Sequence, residues 1–291
     1  MNINKKIKTL EFKLSKILNG GLFGAYKSKF HGSGMEFAEH KQYIFGDSLR
    51  DIDWKTYNKT DKLYVKKYEE ERDLNVLFAL DNTKSMEFGS QDYTKKDILQ
   101  EVFYSLAMSA FLNNDNVGAL IFDENNIDFI EHKKSKENIF KIFQKLESVN
   151  NTKGGNTENK ITKIENLLNQ LYKRNIKNNL IFVLTDDTEI KNEKILKLVG
   201  KENELVYINI LDDFEYNLPN LGGNMSFSLG NNFLNIDLSN EKKIQEYRKN
   251  INYKFKYLNE LFRKNKVGYI KLTTNSDIFK DLLLYFYKIK N

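Results

Sequence analysis

The sequence predicts an α/β protein built on a doubly wound, mainly parallel sheet, with a small N-terminal accessory subdomain in front of it. Two observations carry this expectation. Continuous apolar runs of strand length, residues 76–80 and 180–184, suit strands covered on both faces. Segments with apolar residues at helical spacing separate such runs, so strands and helices alternate along the chain. We place the division at residue 73, with the N-terminal helix and accessory subdomain over 1–73 and the α/β domain over 74–291.

Residues 5–18 open the chain as an amphipathic helix. Ile7, Leu10, Leu14, Ile17 and Leu18 share one face, and Asn19-Gly20-Gly21 ends it. Such a helix packs against its own domain, or else lies on an anionic membrane surface or a partner. Residues 1–30 hold seven Lys against Glu11 alone, which accounts for the whole net charge of +6. The region 20–73 is rich in Gly, Tyr and charge, with one strand expected at 62–68.

From residue 75 the texture changes. A strand over 76–80 runs straight into Asp81, and Thr94-Lys95-Lys96-Asp97 resembles a capping box at the head of a helix reaching Leu112. A strand at 117–122, a hairpin partner at 127–131 and a helix at 135–146 follow. Then come a helix at 158–172, a strand at 179–185, a helix at 191–199 and a strand at 204–211. After a turn-rich segment the pattern gives a strand at 233–238 and a helix with Ile244, Tyr247, Ile251, Leu258 and Phe262 on one face. A strand at 267–272 and a helix at 277–287 close the chain. These last elements are expected to finish the same sheet.

Several function classes are excluded early. There is no cysteine, hence no disulfide framework, no thiolate zinc site and no thiol nucleophile, and His31, His40 and His132 are scattered. No stretch approaches the roughly 20 apolar residues that a spanning helix needs, and the first residues lack a signal-type apolar core. A cytoplasmic location is therefore expected.

In a doubly wound sheet, ligands bind where strands end. Asp81-Asn82-Thr83-Lys84-Ser85 gathers one carboxylate and two hydroxyls in a single turn after the first buried strand. A second buried strand ends in Thr185-Asp186-Asp187, and Lys153-Gly154-Gly155-Asn156-Thr157 is a Gly-containing loop before a helix. Each alone is also what helix capping uses. Asp123 and the pair Asp212-Asp213 end two further strands and are expected as surface turns.

Together and in this order, the three segments resemble the metal-ion-dependent adhesion site of von Willebrand A domains. The resemblance implies that Thr83, Ser85 and Thr157 ligate Mg²⁺, with Mn²⁺ as the alternative, while Asp81 and Asp186 act largely through water. Mg²⁺ dehydrates reluctantly and wants octahedral oxygen ligation, so a site with few carboxylates leaves a position that an acidic side chain of a client protein can fill.

The stretch before the sheet narrows the resemblance. Gly32-Ser33-Gly34-Met35-Glu36-Phe37, Gly46-Asp47-Ser48-Leu49-Arg50-Asp51-Ile52-Asp53-Trp54 and Tyr64-Val65-Lys66-Lys67-Tyr68-Glu69-Glu70-Glu71 look like domain-of-unknown-function family fifty-eight. So do Ser85-Met86-Glu87-Phe88-Gly89 and Asp115-Asn116-Val117-Gly118. Lys41 and Asn58 depart from the Arg usual in that family, which weakens any bidentate contact there. Trp54 is expected to be buried and Arg50 paired to an acid, as a clamp between subdomain and sheet. By resemblance, such proteins act as adaptors beside MoxR-type AAA+ ATPases in the assembly or maturation of protein complexes, and the ATPase supplies the energy.

Two other classes compete with a non-enzymatic adaptor. An Mg-dependent phosphohydrolase or nuclease would use Asp81 and Asp186, but neither a G-x-x-x-x-G-K-[ST] loop nor a clear His or Lys general acid is present. Binding of nucleic acid through the Lys-rich N-terminus has no recognised motif behind it, so no specific nucleic acid is expected.

Overall fold

The computed structural model describes residues 21–30, 37–60, 62–68, 73–123, 126–148, 163–216, 218, 222–229 and 232–288. The helix expected over 5–18 and the loop containing Thr157 lie outside the described residues. The elements in chain order begin with α1 (Leu22–Phe30), β1 (Phe37–Gln42), α2 (Trp54–Thr60) and β2 (Tyr64–Tyr68). The principal unit follows with β3 (Asn75–Asp81), α3 (Lys95–Leu112), β4 (Asn116–Phe122), β5 (Ile127–Lys133) and α4 (Lys136–Glu147). It continues through α5 (Lys163–Lys173), β6 (Asn179–Thr185), α6 (Glu193–Glu202), β7 (Glu204–Leu211) and the short α7 (Asp213–Tyr216). Last come β8 (Asn224–Leu229), β9 (Asn232–Asp237), α8 (Glu241–Lys264), β10 (Gly268–Thr273) and α9 (Ile278–Lys288).

Six strands form the central sheet in the order β10-β7-β6-β3-β4-β5, all parallel except the antiparallel edge strand β5. The order reverses between β3 and β6, so their carboxyl ends flank the crevice in which doubly wound folds bind ligands. The architecture is the doubly wound, mainly parallel α/β sheet that the sequence predicts.

Period-two alternation divides the core into two layers. Val76, Phe78 and Leu80 of β3 face the helices α1, α3, α4 and α9, while Leu77 and Ala79 face α5, α6 and α8. β6 repeats the pattern, with Leu180, Phe182 and Leu184 on the first face and Ile181 and Val183 on the second. Phe78 stacks on Phe182 at 5.3 Å between ring centroids across the β3–β6 pair. α3 is buried nearly all round, from Ile98 to Ala110, which is why its apolar residues show no single stripe. Its N-terminus carries the predicted capping box, with Thr94 and Asp97 each accepting from the other's backbone N–H.

Three differences from the sequence expectation have physical causes. The strand expected at 233–238 does form, as β9, but it pairs with β8 in a separate two-stranded sheet and not with the main one. The main sheet's outer place beside β7 goes to β10, whose six residues pair in register with Val206 to Leu211. Trp54 is 60% exposed and Arg50 is exposed, so the expected clamp does not form; Ile52 and the capping Asp53 are the buried members of that motif. Asp53 accepts backbone N–H groups of Lys55 and Thr56 at the head of α2, which is why the acid rather than the indole turns inward. Asp212, expected in a surface turn, is fully buried: it accepts from Ser90 N–H, Phe214 N–H and the Thr274 hydroxyl at 2.9, 2.9 and 3.0 Å. Asp123 does sit in a local turn, accepting from Asn126 N–H.

The stretch before residue 73 contributes to the principal core. Leu22, Ala25 and Tyr26 of α1 are buried with the first layer. The Tyr26 hydroxyl donates to the buried Asp115 carboxylate at 2.9 Å, and burial, reinforced by that carboxylate, pushes the phenol well above its ordinary range. β1 and β2 pair antiparallel in a small sheet of their own.

Tyr26→Phe should lower stability by about 1–2 kcal/mol in urea unfolding, because a buried carboxylate loses a donor at nearly constant volume. Asp212 gives a pH signature. Burial pushes its carboxyl up, but the donors from Ser90, Phe214 and Thr274 outweigh this and hold it below the usual carboxylate value. The stabilisation is present above the unfolded value of about 4 and is lost as pH falls through the lower folded one. The stability gap between wild type and Asp212→Asn should therefore be largest near pH 7 and shrink toward pH ~3.

Candidate metal centre

β3 ends on Asp81 and β6 on Thr185, one residue beyond the paired Leu80 and Leu184. Both residues are buried, and Asp81 is only 1% exposed. Its carboxylate is a hub: Oδ1 accepts from the Thr83 N–H at 3.0 Å and the Thr83 hydroxyl at 2.6 Å, and Oδ2 accepts from the Thr185 hydroxyl at 2.6 Å. A buried charge must be compensated in this way to be tolerated, and charge-assisted O–H bonds of this length are among the stronger ones. A single 3-10 turn over Lys84–Glu87 then carries Ser85 back, so that its Oγ lies 3.0 Å from Thr83 Oγ1.

The same crevice is braced from the neighbouring strand and from the following loop. Asn209 of β7 donates to the Thr185 and Asp187 carbonyls, and Tyr207 donates to the Asp187 carbonyl at 2.6 Å. Gly89 packs so tightly that a Cβ there would meet the Tyr93 carbonyl oxygen and lie 2.8 Å from Thr94 Cα. Glycine is thus required for the chain to double back from the Thr83–Ser85 turn into α3.

A residue that the sequence reading missed completes the surroundings. Lys95, the first residue of α3, is 2% exposed, and its Nζ lies 2.9 Å from Asp186 Oδ2 and 2.9 Å from both Glu215 oxygens. Burial pushes its ammonium down, but the Asp186 and Glu215 carboxylates more than offset this and raise it above its ordinary value. Glu215, on α7, also accepts from Asp212 N–H at 3.2 Å. In the sequence Lys95 stands inside a capping motif beside an exposed-type Lys96, and nothing in the spacing distinguishes the two.

Of the residues that sequence singled out, Asp81, Thr83 and Ser85 are brought together, and Asp186 follows Thr185 at the same strand ends with one oxygen turned to Lys95. Thr157 lies outside the described residues. Among the described residues no three Asp, Glu, His or Cys side chains gather as a metal cluster, so any ion here relies on hydroxyl oxygens. The donor chemistry fits a hard divalent cation: all oxygen, and mostly uncharged. Adjacent ligands of an octahedral Mg²⁺ at about 2.0–2.1 Å lie roughly 2.9 Å apart, close to the 3.0 Å between Thr83 Oγ1 and Ser85 Oγ.

Thr185→Val should cost about 1–2 kcal/mol in urea unfolding, since it strips a donor from the buried Asp81 carboxylate, whereas Thr185→Ser should retain most of it.

The chain is similar to several known proteins. Uncharacterised proteins of Mycobacterium bovis and Mycobacterium tuberculosis are each 22% identical over 220 residues, covering 74% of this chain and 67% of theirs. Among solved structures, the conserved hypothetical protein BatB from Bacteroides thetaiotaomicron is 19% identical with a TM-score of 0.46, over 74% of this chain and 98% of that one. The SpRpn10 VWA domain is 12% identical with a TM-score of 0.37, over 73% of this chain and 94% of that one. A family model described as "Protein of unknown function DUF58" matches residues 39–253, most of the chain and nearly all of the elements that build the site, and the protein belongs to that family.

Proposed function

We propose that this chain is a protein-binding adaptor, not an enzyme, whose divalent-cation centre takes an acidic side chain from a client protein. The observation that carries the reading is the Thr83 hydroxyl, held by a buried carboxylate that is itself tied to a second strand, with the Ser85 hydroxyl 3.0 Å beside it. Thr83 and Ser85, with Thr157 as the third hydroxyl, hold the ion; Asp81 and Asp186 set their orientation and charge. Bound Mg²⁺, or Mn²⁺ in its place, supplies an open coordination position for an outside carboxylate.

The von Willebrand A-like fold and the DUF58 family support a role in protein interaction. We assign the energy-consuming step to a MoxR-type AAA+ ATPase in the cytoplasm, with this chain as its adaptor in the assembly or maturation of complexes. No helix among the described residues is long and apolar enough to cross a membrane. The competing phosphohydrolase or nuclease reading needs Asp81 and Asp186 as working carboxylates. Asp81 instead accepts hydroxyls on both oxygens, and Asp186 is held by an ammonium whose raised pKa makes it a poor proton donor.

Immobilised protein in native lysate tests this directly, comparing wild type in Mg²⁺, wild type in chelator, and Asp81→Ala checked for folding by circular dichroism. An AAA+ ATPase or client retained only by wild type in Mg²⁺ is the expected result. Equal retention in all three would sink the metal-dependent reading.

A further inference from the structure

Lys95 is out of place by every local rule. It opens α3, at the end of a helix where the macrodipole disfavours a cation, and it is almost completely buried, where a lone ammonium is costly. Its neighbour Lys96 is only half-buried and has no such surroundings to satisfy. A local conflict of this kind persists where the fold has a use for it. Here the ammonium reaches past the helix terminus and meets Asp186 just after β6 and Glu215 on α7, at 2.9 Å to each. The Phe88 ring closes over it at 5.6 Å to the centroid.

The charges in the crevice give this arrangement a meaning. Asp81 ends β3, Asp186 follows β6, and Glu215 stands on α7, the short helix after β7. Without a cation beside them, Asp186 and Glu215 present the hard anionic oxygens that attract divalent ions. With Lys95 in place, one of these two negative charges is offset and both carboxylates turn oxygens to the ammonium, which shifts the favourable position for an ion toward the hydroxyls of Thr83 and Ser85.

We propose that the Lys95 ammonium is a resident cation of this centre: it occupies Asp186 and Glu215 so that the crevice accepts a single, exchangeable divalent ion on its hydroxyls and not a second or tightly held one. Lys95 is thus a positioning and selectivity residue acting through two carboxylates. The inference rests on the divalent-ion reading above, and it makes an opposite prediction from that of a purely structural ion pair. Breaking a structural pair loosens the fold and leaves ion affinity unchanged or reduced. Removing a resident cation frees two carboxylates and strengthens divalent binding.

The test is Mn²⁺ binding to the full chain, followed by electron paramagnetic resonance and by calorimetry, for wild type, Lys95→Met and Lys95→Gln, with Lys95→Arg as the charge-conserving control. Gln keeps two N–H donors without the charge, so it carries the test if Met at this buried position prevents folding. We expect one weakly bound Mn²⁺ on wild type and on Lys95→Arg. On Lys95→Met or Lys95→Gln we expect either a second Mn²⁺ or a roughly tenfold or greater gain in affinity, as loss of a unit charge at contact distance implies. A further Glu215→Gln change in the Lys95→Gln background should reverse much of that gain. If the Lys95 variants bind Mn²⁺ with the wild-type number and affinity, or more weakly, the proposal is overturned while the metal centre stands. If wild type binds no Mn²⁺ at all, the metal-centre reading fails first and takes this one with it.

Discussion

A carboxylate buried at the end of a parallel strand has to find donors, and Asp81 finds them on two different elements at once. Thr83 comes from its own turn and Thr185 from the neighbouring strand β6. The bond to Thr185 spans 104 residues of sequence, so the geometry of the turn is a property of the assembled sheet and not of the pentapeptide. The pairing of β3 with β6 in register, and the packing of Phe78 against Phe182, are what bring the two ends level. Everything in the crevice inherits that alignment, including the spacing of the Thr83 and Ser85 hydroxyls.

Two bracing systems keep the crevice from collapsing or opening. On the β7 side, Tyr207 and Asn209 hold the chain that follows Thr185 through its carbonyl oxygens, and Asp212 ties the loop at Ser90 to β7 and to the residue after β10. On the α3 side, Gly89 lets the chain fold back on itself, and the capping box fixes where the helix begins. The ammonium of Lys95 joins the two systems by bonding to Asp186 after β6 and to Glu215 on α7. A helix start, two strand ends and a loop are thereby held by polar bonds in a region where apolar packing alone would leave charges uncompensated.

Much of this was legible in the sequence because it is encoded locally. The runs 76–80 and 180–184 announced strands covered on both faces, Thr94 and Asp97 announced the start of α3, and the strand ends directed attention to Asp81 and Asp186, although it is Thr185 that bonds Asp81. The unread parts depend on long-range partners. The β8–β9 hairpin alternates like any strand pair, and only the competition for the place beside β7 decides that β10 joins the sheet instead. Asp212 looked like a turn acid because its three donors come from Ser90, Phe214 and Thr274, two of them far away in sequence. Trp54 was expected inside as part of a clamp onto the sheet, yet the short α2 has no buried side chain.

The edge strand β5 has a consequence for how this sheet can meet other chains. An exposed antiparallel edge offers unpaired backbone groups to any strand that approaches, and proteins commonly guard against this with charge and irregular pairing. β5 carries Asp128, Glu131, His132 and Lys133 within seven residues, and its ladder to β4 shifts register between Val117 and Ala119. Another chain's strand would have to bring its backbone alongside these charges and follow that irregularity. Charge and irregular pairing therefore set the β5 edge against growth of the sheet on that side, and leave β10 as its other edge.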